Sequence, residues 1–220
     1  MNNARLILSI ESAVAGGSIA LLRGTDTLAH LSDGNNGSRA EKLLTSIDSL
    51  LAGKGISLRD LDMIAVSIGP GSYSGIRIGI STALGLSDAL GIEYVGISVL
   101  DAIAFTNTSD RDFIAAIPVG KNDVAWQRFS NFTESEADPE LLPLEAFVED
   151  LNQHSDIDLL AHVEIFDRLD GRLPGSIRLR NAGSGMAEYV GQLARHRGNS
   201  KASLHPIYLR NSRASKPAAF

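Results

Sequence analysis

Residues 69–79 read GPGSYSGIRIG, four glycines and a proline in eleven positions. An apolar run, Met63–Ser67, precedes the stretch, and a helix-forming segment continues from about Gly75 to Leu90. Strand, glycine loop and helix N-terminus in this order can bind an anion, because free backbone N–H groups and the positive end of the helix dipole converge there. Gly69, Gly71, Ser72 and Ser74 are therefore candidates for an anion or nucleotide loop, with hydroxyls placed to cap the helix or donate to a phosphate. The nucleotide motifs fit poorly. A P-loop needs a lysine that is absent here. The pattern G-x-G-x-x-G is met at Gly69 and Gly71, but its third glycine falls one residue late, at Gly75. The alternative chemistry is none: a loop of bare backbone that lets another element approach closely.

Few other residues offer chemistry. Glu11 ends the first apolar run and is the best catalytic-looking carboxylate; the plainer reading is a polar strand end bonded to backbone amides. The five histidines (30, 154, 162, 196 and 205) include no pair four residues apart, and there is no cysteine. A two-imidazole zinc grip on one helix face and a thiolate site are both excluded. The sequence predicts no metal site and no catalytic residue, and surface positions for most of the histidines. Glu134, Glu136, Asp138 and Glu140 read as a solvated acidic loop, and Trp126 as core.

The helix after the glycine loop is apolar nearly all round, as expected of a helix covered on more than one side. Gly75, Gly79 and Ala83 recur every four residues and leave one side bare, with Ile76, Ile80 and Leu84 beside it. One side must face the sheet, and the other needs the helix near residues 39–52 or another chain. Gly75, Ile76, Ile78, Gly79, Ile80, Thr82, Ala83 and Leu86 are the partner-interface candidates, and self-association into a dimer is the expected state of the isolated chain.

These residues sit in a chain of 220 with 44% hydrophobic and 21% charged residues and a net charge of −6. That is ample for a buried core and too acidic for a stand-alone RNA binder, which needs clustered Lys and Arg. The basic residues of the C-terminal third, among them Arg178, Arg180, Arg195 and Arg197, could face RNA or an acidic partner, a charged surface being the commoner explanation. The N-terminal MNNARLILSIES lacks the architecture of a signal peptide, and no apolar run is long enough to span a bilayer. A cytoplasmic protein is expected. The first hundred residues read β-β-β-α-β-α-β-α, a hairpin-led sheet with crossovers. Ser38 and Glu41 match a capping box for the first helix. TNTSDRD, at residues 106–112, marks a boundary between a lobe at 1–105 and a smaller one at 106–220.

The segments ILSIES, AEKLLTSIDSLL, LDMIAVSIGPGSYSGIRIGISTALGLSDALGIEYVGISVLDAIA and HPIYLR together resemble the TsaB (YeaZ) family, densely over residues 5–105 and again at 206–210. The resemblance implies an α/β ASKHA fold (actin, sugar kinase, Hsp70) of two ribonuclease-H-like lobes, the second divergent. It implies a scaffold or activator of tRNA threonylcarbamoyladenosine (t6A) modification. Its partners would be a catalytic TsaD-like paralogue, a TsaE-like ATPase and, through the complex, tRNA. ATP would be used by the complex and no cofactor held by this chain alone. The alternative is an independent ATPase or small-molecule kinase of the same fold. The chain departs from the family pattern in carrying Glu11 where aspartate is usual, Arg39 where many members begin the first helix with histidine, and PVGKNDVAW in the second lobe.

Overall fold

The computed structural model describes residues 4–14, 16–32, 39–131, 134–169, 171–183, 185–197 and 204–210. In chain order the elements are β1 (Leu6–Glu11), β2 (Ser18–Arg23), β3 (Asp26–Ser32), α1 (Arg39–Ala52), β4 (Met63–Ser67), α2 (Tyr73–Leu90), β5 (Glu93–Ile97), α3 (Val99–Ala104), β6 (Phe113–Val119), β7 (Asp123–Asn131), β8 (Glu134–Ser135), β9 (Glu140–Pro143), α4 (Leu144–Leu151), β10 (Ile157–Ala161), α5 (Val163–Leu169), β11 (Ile177–Asn181) and α6 (Met186–Arg197). The capping box read at Ser38 and Glu41 lies outside the residues whose side chains are described.

Contacts divide the chain into two compact units. One comprises Met1–Ala102 with Gly185–Ile207, the other Ile103–Ser184 with Tyr208–Phe220. The first holds a sheet of order β3-β2-β1-β4-β5, with β1, β2 and β3 antiparallel and β1, β4 and β5 parallel. This is the ribonuclease-H-like order. The apolar runs of β1, β2 and β4 are buried throughout because helices cover both faces of the sheet. Leu6, Leu8 and Ile10 of β1 point to the face shared with Leu43, Ile47, Leu50 and Leu51 of α1 and Ala83 of α2.

The opposite face carries α6, which packs on β1, β2 and β4. The sequence reading assigned this helix to a lobe beginning at residue 106. Its small residues explain the difference: a Cβ at Gly191 would overlap the Leu22 side chain and lie 3.1 Å from Cβ of Ser9, so only a bare backbone fits over the strands. The helix is tied at its start, where the Ala187 N–H donates to Ser18 Oγ (3.1 Å) and Thr27 Oγ1 donates to Glu188 (2.8 Å).

The second unit repeats the strand pattern. Its sheet runs β11-β10-β6-β7-β8, with β9 also on β7, and again a central strand has an antiparallel neighbour on one side and parallel ones on the other. Ile114, Ala116, Leu159 and Ala161 meet Phe147 and Leu151 of α4 and Ile165 and Leu169 of α5. Trp126 packs against this cluster, 5.9 Å from the Phe147 ring. The acidic stretch read as a loop is partly strand: Glu134 and Glu140 open β8 and β9, and Glu136 pairs with Arg128 Nε at 2.7 Å.

Gly191→Ala tests the close contact under α6. An exposed helix interior would gain about 1 kcal/mol from this change. Here overpacking against Leu22 and Ser9 is expected to reverse the sign and destabilise by ~1–3 kcal/mol, read from denaturant unfolding. Ser9→Ala is expected to stabilise by about 1 kcal/mol, because the buried Ser9 hydroxyl has no hydrogen-bond partner.

Candidate functional site

The glycine loop joins β4 to α2, and its groups are engaged by the chain itself. The Ser72 N–H donates to the Ala13 carbonyl (2.7 Å), and a Cβ at Gly71 would overlap that same carbonyl. Gly69 has φ of +101°, and a Cβ there would lie 2.7 Å from the Ile207 carbonyl oxygen and 2.8 Å from Ile76 Cδ1. Glycine is required at both positions by close backbone approach and by left-handed geometry. Ser72 is the N-cap of α2: its Oγ accepts from the Gly75 N–H at 3.3 Å and lies 3.3 Å from Ser74 Oγ.

Glu11 is buried at the end of β1. Its Oε1 accepts from the backbone N–H groups of Ala13 (2.6 Å) and Val14 (2.9 Å) and from Ser67 Oγ (3.4 Å). The carboxylate thereby shapes the turn between β1 and β2, the same turn whose Ala13 carbonyl receives Ser72. Glu11 also borders a small open cleft with Ile19, Leu31, Leu43, Ser46 and Ile78.

The partner-interface candidates divide by depth. Gly75, Ile76, Gly79 and Ala83 are buried, and Ile78, Ile80, Thr82 and Leu86 are half-buried. The bare stripe faces this unit's own strands: a Cβ at Gly79 would overlap Ser12 Oγ and lie 3.4 Å from Val66 Cγ2. Ser12 Oγ donates to the Gly75 carbonyl at 2.8 Å, locking the stripe in place. Gly75, Ile76, Gly79 and Ala83 are thus corrected from interface to internal packing. The outward stripe of α2 is Tyr73, Arg77, Ile80, Leu84 and Asp88. Its spacing of three and four is visible in the sequence. Tyr73 is 54% exposed and Leu84 40%, and Leu44 of α1 is 53% exposed. The Arg77 guanidinium lies 3.9 Å over the Tyr73 ring, a cation–π contact.

His162 is buried rather than on the surface. It precedes α5, its carbonyl accepts from the Ile165 and Phe166 N–H groups, and its Nδ1 accepts from the Glu164 N–H at 3.3 Å. The imidazole caps the helix in its neutral form, and burial lowers its pKa from 6.5 to about 4. Some of the C-terminal arginines serve the fold: Arg197 bonds Asp101 Oδ2 at 2.6 Å, and Arg180 bonds Asn107 Oδ1 (3.4 Å) and Thr108 Oγ1 (3.2 Å). Among the described residues, no three His, Asp or Glu side chains gather as a metal site, and no helix is long and apolar enough to cross a membrane.

Comparison with known proteins places this geometry. A family model described as TsaD, tRNA N6-adenosine threonylcarbamoyltransferase, matches residues 38–161. The chain belongs to the TsaB (YeaZ) family, within these TsaD-like domains. The Haemophilus influenzae protein named tRNA threonylcarbamoyladenosine biosynthesis protein TsaB is 32% identical over 126 residues, 56% of this chain and 52% of that protein. The chain thus spans about half the length of the curated relatives it matches. YeaZ from Pseudomonas aeruginosa superposes with a TM-score of 0.68 at 21% identity, over 93% of this chain and 100% of that one. An activator of 2-hydroxyisocaproyl-CoA dehydratase from Clostridium difficile, solved with bound ADPNP, superposes at 0.55 and 10% identity over 87% and 95% of the two chains. The fold is the ASKHA, actin-like ATPase fold. In this chain's loop the Ala13 carbonyl accepts from the Ser72 N–H, and Glu11 Oε1 accepts from the amides of its own turn.

The buried imidazole sets a pH dependence. A folded pKa below the unfolded value means the unfolded chain binds the proton first as pH falls. Stability from His162 is fully present above pH 6.5 and declines between there and about pH 4. The loss amounts to roughly 3 kcal/mol for a shift of this size. His162→Asn, which can still cap, is expected to flatten that part of the stability–pH curve. An unchanged difference between variant and wild type from pH 7 to pH 4 would contradict a neutral buried imidazole.

Proposed function

We propose that this chain is the scaffold or activator subunit of a t6A tRNA-modification complex, docking a catalytic TsaD-like paralogue through the outer face of α1 and α2. The observation that carries the reading is the outward apolar stripe. Tyr73, Ile80 and Leu84 on α2 and Leu44 on α1 leave apolar surface uncovered on the helical layer beside the glycine loop. Large exposed apolar side chains on packed helices mark protein contact surfaces.

The loop supports the same reading from the other direction. Its backbone donors and the Glu11 carboxylate are used to join β1, β4 and α2, which makes a rigid base for the two helices and leaves phosphate handling to other proteins. ATP is then consumed by the complex, with a TsaE-like ATPase, and tRNA is met through the partner. In isolation the same face would close on a second copy, since a two-fold pairing is the simplest cover for one patch.

The test separates face from fold. Leu84→Arg places an unpaired charge on the outer face, where it is solvated in the free chain and must be desolvated on docking, at a cost of several kcal/mol or a thousandfold in affinity. Co-purification with the organism's TsaD-like protein is expected to be lost while the thermal midpoint stays within a degree or two. Gly79→Arg is expected to unfold the first unit instead, because Ser12 and Val66 occupy the space. Normal docking by Leu84→Arg would remove this face from the proposal.

A further inference from the structure

The segment HPIYLR, through Ile207, reaches the glycine loop. The Ile207 N–H donates to the Ile68 carbonyl at 2.7 Å. The Ile207 carbonyl lies against the Cα of Gly69, where a Cβ would stand 2.7 Å from its oxygen. Three residues earlier, Leu204 packs on the core of the first unit, and a Cβ at Gly96 of β5 would lie 2.8 Å from Leu204 Cδ2 and 2.7 Å from Ile68 Cγ2. Two glycines on separate elements, Gly69 and Gly96, make room for one short segment.

We infer that residues 204–207 form a strap that positions the first turn of α2 for docking. This rests on the proposal that the α1–α2 face binds the partner. The loop is gripped from two sides. Ala13 holds Ser72 from one, and Ile207 holds Ile68 and Gly69 from the other. Between these grips the chain turns from β4 into the Ser72 cap, and Tyr73 and Arg77 follow on the outward stripe. The Gly69 carbonyl also accepts from the Val99 N–H at 2.9 Å, so the strap, the loop and the start of α3 share one short stretch of backbone. With the strap detached, the loop keeps its Ala13, Ile97 and Val99 hydrogen bonds but loses the Ile207 grip on Ile68 and Gly69, and the cap geometry that orients Tyr73 and Arg77 loosens. Ile207 is therefore a positioning residue, acting on the docking face through the loop.

Amide hydrogen exchange on the full chain tests the strap directly. Ile207→Pro removes the N–H, and Leu204→Ala removes the anchor while leaving the backbone intact. Both are expected to speed exchange of the Ser72, Gly75 and Ile76 amides by on the order of tenfold, with little change in β6 and β10. Ile207→Val, which keeps the donor, is expected to match wild type. Partner affinity is expected to fall at least about tenfold for Leu204→Ala, and for Ile207→Pro provided its unfolding midpoint is retained. Unchanged exchange at 72–76 in Leu204→Ala overturns the strap whether or not the face binds a partner. Faster exchange with wild-type docking overturns its positioning role, provided that Leu84→Arg blocks docking in the same assay. If Leu84→Arg also docks normally, the face itself is wrong, and the positioning role falls with it.

Discussion

The contact between the Ala13 turn and the glycine loop fixes the first unit. Glu11 folds back onto the amides of Ala13 and Val14, and this aims the Ala13 carbonyl at Ser72. Gly71 must be glycine for the carbonyl to come so near. Once Ser72 is placed, it caps α2, and the glycine stripe of that helix settles on Ser12 and Val66. A bulky residue at any of these points would push α2 off the sheet. A group that is chemically apt for phosphate is spent on covalent neighbours and on one short interface between a turn and a loop.

The same economy runs through the rest of the chain. Gly191 lets α6 lie directly on β1 and β2, so the sheet is covered on both faces by close-fitting helices. In the second unit Asp158 is buried, with Arg180 at 3.6 Å and Arg111 at 3.9 Å, and Arg180 also reaches Asn107 and Thr108. A buried carboxylate persists only when paired. The polar stretch at 106–112 is therefore held by charge and hydrogen bonds where the first unit uses apolar contact.

Much of the first unit was legible in the sequence because its signals are local. β4 was read to the residue as MIAVS, and α2 was placed within two residues at its start and none at its end. Turn glycines and unbroken apolar runs carry that information. The elements missed, β8, β9, α5 and β11, are short and either edge-exposed or charged, as in IRLRN, so periodicity says little about them. The site was legible only in part. The close packing expected at the loop is present, with Gly69 and Gly71 pressed against the Ile207 and Ala13 carbonyls, but no sequence rule says which side of a glycine stripe faces inward. The stripe turned to the strands because bare backbone allows the closest approach, and the larger residues Tyr73 and Leu84 were left outside. The placement of α6 and of residues 204–207 depends on glycines distant in the chain, at 191, 69 and 96, whose partners no local pattern reveals.

If the outer helical face carries the function and the loop serves only the fold, the t6A content of tRNA reports it. In cells depleted of this chain and resupplied with variants, nucleoside analysis is expected to show full t6A with Glu11→Gln, whose amide oxygen can still accept from Ala13 and Val14. It is expected to show t6A lost with Leu44→Asp, which is exposed and leaves the core untouched. Full modification with Leu44→Asp and none with a folded Glu11→Gln would contradict the account and return the chemistry to the loop.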